Sequence, residues 1–413
     1  MSYWRNNREA TCYRENDIVY IEKLNRARSV SDFIRSIESG RNQGVDDFLL
    51  DFSGVEEAIF PNAVAPIAGI IEHYKSKGIK FEFDSYSRAI QSTKIFMPTH
   101  YDAKVEVKVL GKVWLFQSSD DVNELVNAYI KELQKSAQFY KGVLNVIEWS
   151  LNEVMDNVIQ HSKIGFGCVM GQIHSTSQNI AFTVFDAGQG IYNSLKSSIH
   201  KPKTAVDAIT LAIQEEVTRD TKIGQGNGLF GLHSIVKQGQ GKLVITSGGG
   251  SYSYSSGRVN VYDHLPVFSR ETPGTIVDFQ LNYSKDMSID KALVFRGKQY
   301  SLTNIHFEDL EDEYGIVHYS IKDHAEGTGT RDSAMRVKNE IHNILTETRK
   351  PIVLDFSGIE VISSSFADEL LAKLFLEFGL FQFNNMIRIR GLDQSQQTIL
   401  HRSVLQRIIA EVK

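Results

Sequence analysis

Asn179-Ile-Ala-Phe-Thr-Val-Phe-Asp186-Ala-Gly188-Gln-Gly190 is a largely apolar run that ends in one acid and two glycines. Its alternation predicts a strand, and Asp186 to Gly190 predicts the turn that ends it. An acid at a strand end can accept a hydrogen bond from an exocyclic amine, and Gly188 and Gly190 let the backbone approach a flat base closely. An ordinary Asp-Gly turn would use the same residues, so the neighbouring segments decide the reading.

Upstream, Phe139, Val143, Val146, Ile147, Leu151, Val154 and Val158 recur at helical spacing and predict an amphipathic helix over 139–161. Glu153 and Asn157 are four apart and therefore share one side of it. The amide is a hard oxygen ligand suited to magnesium, and the carboxylate can orient or deprotonate an attacking hydroxyl. A solvated polar stripe is the plain alternative for this pair.

Downstream, Gly224-Gln-Gly226-Asn-Gly228-Leu229-Phe-Gly231 leads into a helical pattern from Leu229 to Val236, followed by a strand pattern from Lys242 to Thr246. Free amides at such a helix start favour phosphate oxygens. The segment formally fits G-x-G-x-x-G. However, Arg219-Asp-Thr-Lys222 precedes it where a strand belongs, and Gly248-Gly-Gly250-Ser stands where the acid of a dinucleotide site belongs. A Rossmann reading therefore fails, and the absence of G-x-x-x-x-G-K-[ST] excludes a P-loop. Pro273-Gly274-Thr275 then predicts a turn into a strand, with a hydroxyl able to reach a base through water.

In order and content these four segments resemble the nucleotide pocket of the GHKL ATPases over roughly residues 118–284. The resemblance implies ATP and Mg as cofactors. Asn157 would hold Mg, Asp186 would meet the adenine amino group, and Gly188 and Gly190 would lie against the base. The loop containing Gly224, Gly226, Gly228, Leu229 and Gly231 would cradle phosphates, Thr275 would reach the base through water, and Glu153 would be the catalytic carboxylate. Residues 191–223 would form the ATP lid, where Lys196, Lys201, Lys203 and Arg219 face phosphate or solvent. The glycine box and the Glu153-to-His161 helix look most like the anti-sigma serine kinases. His73 and His100 sit in no obvious long helical hairpin of histidine-kinase type, and no segment looks like the lysine-lending domain of gyrase-type members. His161 reads as a local hydrogen-bonding residue.

The flanks repeat a phrase. Leu49-Leu-Asp51-Phe-Ser53-Gly54-Val-Glu56 returns as Val353-Leu-Asp355-Phe-Ser357-Gly358-Ile-Glu360. Each copy predicts a strand and turn, preceded by a helix (Ser29 to Ile37; Thr330 to Leu345) and followed by a helix (Asn62 to Lys77; Phe366 to Phe378) and a strand (Ile79 to Phe83; Met386 to Arg390). That order implies a small parallel or mixed sheet with helices on it. The C-terminal copy resembles STAS-like domains, relatives of the anti-sigma factor antagonists, through Gly329-Thr-Arg331, Leu354 to Gly358 and Ser363-Ser-Ser-Phe-Ala-Asp-Glu369. Ser363 stands where antagonists carry an aspartate and Ser365 falls on their accepting serine. Whether Ser364 or Ser365 accepts phosphate is open against helix capping by Ser363 to Ser365. The N-terminal copy reads Phe60-Pro61-Asn62 there, without a hydroxyl.

The chain has 413 residues with 42% hydrophobic content, enough for two or three cores. Its net charge of -5 provides no basic drive towards nucleic acid. Cys12 and Cys168 fall in different predicted domains, which fits a reducing compartment. The apolar run Ala63 to Ile71 is too short to span a bilayer, and Met1-Ser-Tyr-Trp-Arg is unlike a signal peptide, so a cytoplasmic protein is expected. Gly248 to Gly257 reads as an extended hairpin tip; stacking of its two tyrosines on a partner is the lesser reading.

The expectation is an α/β chain of α+β sandwich type: an N-terminal STAS-like domain (1–112), a GHKL ATP-binding domain (113–290) and a C-terminal STAS-like domain (291–413). Its expected function is Mg-dependent ATP hydrolysis or serine/threonine phosphotransfer coupled to a protein partner or to self-association through the STAS-like domains. The alternative is a non-hydrolysing nucleotide-dependent interaction switch.

Overall fold

The computed structural model describes residues 10–411 except 57, 163–164, 197, 215–227, 266–267, 269–273, 293, 296–297 and 300–309. The chain has an α+β fold and divides into two compact units. The first comprises Met1–Tyr129, Val146–Tyr283 and Asp290–Tyr300; the second comprises Ile130–Asn145, Ser284–Ile289 and Ser301–Lys413.

The first unit begins with β1 (Cys12–Glu15), β2 (Ile18–Ile21), α1 (Arg28–Arg41), β3 (Asp47–Asp51), α2 (Pro61–Ser76) and β4 (Lys80–Asp84). Strands β1 to β4 form one sheet in sequence order, with β1 antiparallel to β2 and the other pairs parallel. Next come α3 (Arg88–Ser92), β5 (Thr99–His100), β6 (Val113–Phe116), α4 (Ser119–Ser136), α5 (Val143–His161), β7 (Gly167–His174), β8 (Asn179–Asp186), α6 (Gly190–Leu195), α7 (Ala205–Ala212), α8 (Gly228–Gln238), β9 (Lys242–Ser247), β10 (Gly250–Ser255), β11 (Arg258–Tyr262) and β12 (Thr275–Asn282). A second sheet has the order β11-β10-β9-β12-β8-β7-β6-β5 and is antiparallel except at β5–β6. Short α9 (Ile289–Ala292) and the pair β13 (Val294–Phe295) and β14 (Lys298–Gln299) follow.

Helix α2 explains how the two sheets share one core. Its residues are apolar almost all round, from Ala63 to Tyr74, and such a helix must be covered on more than one side. A Cβ on Gly69 would lie 2.3 Å from the Phe185 ring and 3.0 Å from the Cys168 Sγ, so only glycine permits this approach to β7 and β8. Val64, Ile67 and Ile71 of α2, Leu50 and Phe52 of the small sheet, and Cys168, Phe185 and Ile276 of the large sheet belong to one buried cluster. On the opposite face of β8, where alternation places Phe182, the ring packs on Tyr129 of α4 and on Phe279 of β12.

Two local expectations change. Helix α5 starts at Val143 rather than Phe139, because Gly142 has φ +78° and interrupts helical geometry before it. Gly248 to Gly257 is mostly strand β10, and its tip is confined to the β10–β11 turn. Tyr252 and Tyr254 are buried, each with an edge-on ring contact to His233, and are unavailable to a partner. Here the period-2 Ser-Tyr alternation outweighed the glycine-serine composition.

The second unit contains β15 (Val317–Ser320), α10 (Ile321–His324), α11 (Arg331–Thr348), β16 (Ile352–Asp355), α12 (Ser364–Ala367), a π turn over Asp368–Ala372, α13 (Lys373–Met386), β17 (Ile387–Arg390) and α14 (Gln394–Glu411). Strands β15, β16 and β17 form a parallel sheet in that order. Val337, Ile341, Leu354, Phe356, Phe366 and Leu370 are among its core residues.

The repeated phrase is also a repeated structure. Asp51 ends the middle strand of one parallel triplet and Asp355 that of the other. Their Oδ1 atoms accept from the Ser53 and Ser357 N–H at 2.7 and 2.9 Å. The Phe52 N–H donates to the Asp84 carbonyl and the Phe356 N–H to the Arg390 carbonyl, at 3.3 and 2.9 Å. Among the described residues no helix is long and apolar enough to cross a membrane. Cys12 and Cys168 are free and buried, and burial pushes both thiols well above their usual range.

Candidate functional site

Helix α5 is the spine of the candidate site. Val146, Ile147, Leu151, Val154, Met155 and Val158 fix its buried side, so Glu153 and Asn157 stand beside a core rather than on an open surface. Both are half-buried, which departs from a freely solvated stripe. Burial holds the Glu153 carboxyl above its ordinary range, and the neighbouring Asp156 charge adds to the shift. Burial raises Asp156 as well.

At the start of α8, a Cβ on Gly228 would fall 2.6 Å from Glu153 Oε2 and 3.2 Å from Asn157 Nδ2. A larger residue would therefore close the space between the glycine box and the acid–amide pair. Leu229 is half-buried in the same first turn, and Gly231 is buried one turn further on. Gly224 and Gly226 lie outside the described residues, as do Arg219 and Pro273.

Beyond its C-terminus, α5 meets the aspartate box. The Ser162 carbonyl accepts from the Gln189 N–H at 3.0 Å, and a Cβ on Gly188 would lie 2.4 Å from that same carbonyl. Gly188 also donates its N–H to Asp186 Oδ1 at 2.7 Å. Asp186 is 7% exposed at the end of β8, and burial pushes its carboxyl up to about 7, opposed by the Gly188 N–H and the Thr275 hydroxyl. Thr275 pairs with Asp186 across β12–β8 and with Ser247 across β12–β9. Thr275 Oγ1 and Ser247 Oγ are 3.1 Å apart. Ser247 Oγ also donates to the Gly274 carbonyl at 3.1 Å and accepts from the Ile191 N–H at 2.9 Å. Gly190 has φ +74°, and a Cβ there would press on Ser247 Oγ at 3.0 Å.

The structure thus brings Glu153, Asn157 and Gly228 together and, separately, Asp186, Gly188, Gly190 and Thr275; Ser162 links α5 to the second group. Three participants escaped the sequence reading. Ser247 closes β9 one residue past the apolar pattern, Ser162 acts through its carbonyl, which carries no side-chain signature, and Asp156 was legible only as the residue before Asn157. Among the described residues no group of three or more His, Cys, Asp or Glu side chains is arranged to hold a metal ion. In the lid interval, Lys196, Lys201 and Lys203 are exposed, and Lys196 donates to Asn193 at 2.9 Å.

Residues 333–397 match the family described as STAS-like domain of unknown function (DUF4325). None of the curated proteins compared matches the chain. The match covers α11 to the start of α14, so the C-terminal flank is STAS-like. In this STAS-like domain the Ser363 hydroxyl caps α12 by accepting from the Phe366 N–H at 3.0 Å, while Ser364 and Ser365 are exposed in its first turn. Arg331 Nη2 and Nη1 each lie 3.2 Å from a carboxylate oxygen of Asp368 and Glu369, respectively. At the strand end, the Ser357 hydroxyl and N–H, together with Arg390, hold the Asp355 carboxyl down at about 2. In the N-terminal copy Phe60 precedes α2 with no side-chain cap, and Pro61 supplies the helical start instead.

Proposed function

We propose that the segment from residue 113 to 290 is a GHKL-type ATP-binding domain, and that its Mg-dependent ATP turnover is coupled to interactions of the STAS-like domain. The observation that carries this reading is the double engagement of α5: its middle faces Gly228 through Glu153 and Asn157, while the Ser162 carbonyl just beyond it accepts from Gln189 and lies close against Gly188 of the Asp186 loop. The glycine box and the aspartate box thereby both border the helix that carries the acid–amide pair, and Thr275 of the last segment pairs with Asp186, an arrangement that an isolated Asp-Gly turn does not require.

In this reading Asp186 accepts from the adenine amino group, and Thr275 and Ser247 order the polar edge beside it. Asn157 offers one hard oxygen to Mg, which normally keeps water and substrate phosphates for its remaining positions. When bound, Mg would neutralise charge on the phosphates. The glycine box supplies backbone amides to the phosphates, and Glu153, already biased towards accepting a proton, orients and deprotonates the attacking hydroxyl. A protein serine or threonine as acceptor gives a kinase, and water gives a conformational ATPase. A partner protein or a second copy engaging the STAS-like domain, in a reducing cytoplasm, completes the proposal.

Incubating the intact chain with gamma-labelled ATP separates the versions. Label on protein supports phosphotransfer, and free phosphate supports hydrolysis. ATP binding without either supports the non-hydrolysing switch. Glu153→Ala should abolish turnover while retaining binding; unchanged turnover removes Glu153 from its role.

A further inference from the structure

Helix α11 of the STAS-like domain carries a buried polar stripe: Asn339, Asn343 and Glu347, spaced four apart and therefore on one face. Buried polar groups are costly unless paired, so the identity of their partners is informative. The Asn343 amide is fully buried and donates to the Gln134 and Ala137 carbonyls, both at 2.9 Å, while its oxygen accepts from the Phe139 N–H at 2.8 Å. Asn339 donates to the Lys135 carbonyl at 3.2 Å. Glu347 accepts from the Gly142 N–H at 2.7 Å.

These partners are two helix ends. Gln134, Lys135 and Ala137 present the carbonyls at the C-terminus of α4, and Gly142 presents the N–H immediately before α5. Helix ends leave such carbonyls and amides without partners along the helix. The stripe matches them in chemistry as well as position: amide donors meet the carbonyls and a carboxylate meets the amide end, where negative charge is also favoured by the helix dipole. Lys141 and Asp286 are the charged groups that act on Glu347, and burial raises its carboxyl. The turn itself is tightly specified. A Cβ on Gly142 would strike the Met287 carbonyl at 2.0 Å, and the Met287 N–H donates to the Lys141 carbonyl at 2.8 Å.

We infer that Asn343 and Glu347 are positioning residues for the nucleotide site: by capping α4 and α5 from outside, the STAS-like domain sets the start of the helix that carries Glu153 and Asn157. The inference rests on the ATP reading above and deepens it by naming the route of regulation. A partner that displaces α11 would release the start of α5 and slow turnover without touching adenine.

The test uses the full chain. Asn343→Asp preserves size but removes both donated hydrogen bonds and sets a charge against two carbonyls. It is expected to lower kcat at least about fivefold, the scale of a modest coupling between sites, with ATP affinity unchanged. In the same variant the Gly142 amide should exchange with solvent faster as the turn between α4 and α5 loosens, while β16 amides stay protected. Glu347→Leu should act likewise and carries the test if Asn343→Asp does not fold. Glu347→Gln, whose amide oxygen still accepts from Gly142, should restore kcat. Wild-type kcat in Asn343→Asp and Glu347→Leu, or unchanged exchange at Gly142, overturns the inference. Failure of the wild-type chain to bind ATP is a different result, which overturns the site reading and this inference with it.

Discussion

The two copies of the Asp-Phe-Ser-Gly phrase fold alike and are used differently. Both end the middle strand of a parallel triplet with the same aspartate-to-serine turn. In the N-terminal copy the following helix is buried from Pro61 to Tyr74 and joins the core of the large sheet. In the C-terminal copy the corresponding run is split by a π turn, breaks again at Gly379 and leaves Leu380 and Phe381 exposed. One motif therefore serves as a wall of the candidate ATPase unit, and the other remains a domain with its own core. What surrounds the phrase, rather than the phrase, determines its role.

The largest effect that can break this comparison is deletion of the equivalent core rings. Phe52→Ala and Phe356→Ala should each cost about 3–5 kcal/mol. Hydrogen exchange should show Phe52→Ala loosening β7 and β8, because they share its core, and Phe356→Ala leaving them protected. Equal loosening by both would erase the distinction.

Strand-end aspartates sharpen it next. The Asp186 carboxyl is raised in the fold, so its contribution to stability is present below the unfolded value near 4 and is lost as pH rises through about 7. Asp186→Asn should therefore stabilise the first unit at pH 8 by up to roughly 4 kcal/mol while losing ATP affinity. Asp355 is depressed, so its contribution is present above about 4 and is lost as pH falls through about 2. Being near the surface, its replacement by Asn should cost less than about 1 kcal/mol. Urea titrations at pH 5 and 8 read both.

Counted from the repeated aspartates, Gly69 corresponds to Lys373. Gly69→Val should cost about 3 kcal/mol by overlap with Phe185 and Cys168. Lys373→Ala removes a partly exposed cation but leaves buried Glu369 paired with Arg331, so it should cost less, about 1 kcal/mol. The smallest contrast is the cap: Ser363→Ala should cost about 1 kcal/mol in thermal denaturation.

Much of this was legible in the sequence because the decisive signals were periodic. The alternation of Asn179 to Phe185, the helical spacing of Val143 to Val158 and the repeated phrase each translated into the expected element. Less legible were features made by backbone and by distant contact. The hold of Ser162 on Gln189 uses a carbonyl, and the hub at Ser247 depends on β9 meeting the start of β12 and α6. The burial of α2 by a second sheet is hinted at only by its lack of a polar side. Tyr252 and Tyr254 were masked by glycine-serine composition although their spacing was that of a strand.

Equilibrium binding of ATP to the intact chain, with and without Mg, alongside Asn157→Ala, tests the central claim most directly. The account predicts one saturable, Mg-strengthened site per chain, with the benefit of Mg largely lost in Asn157→Ala. Absence of saturable binding, or an identical Mg response in the variant, would contradict it.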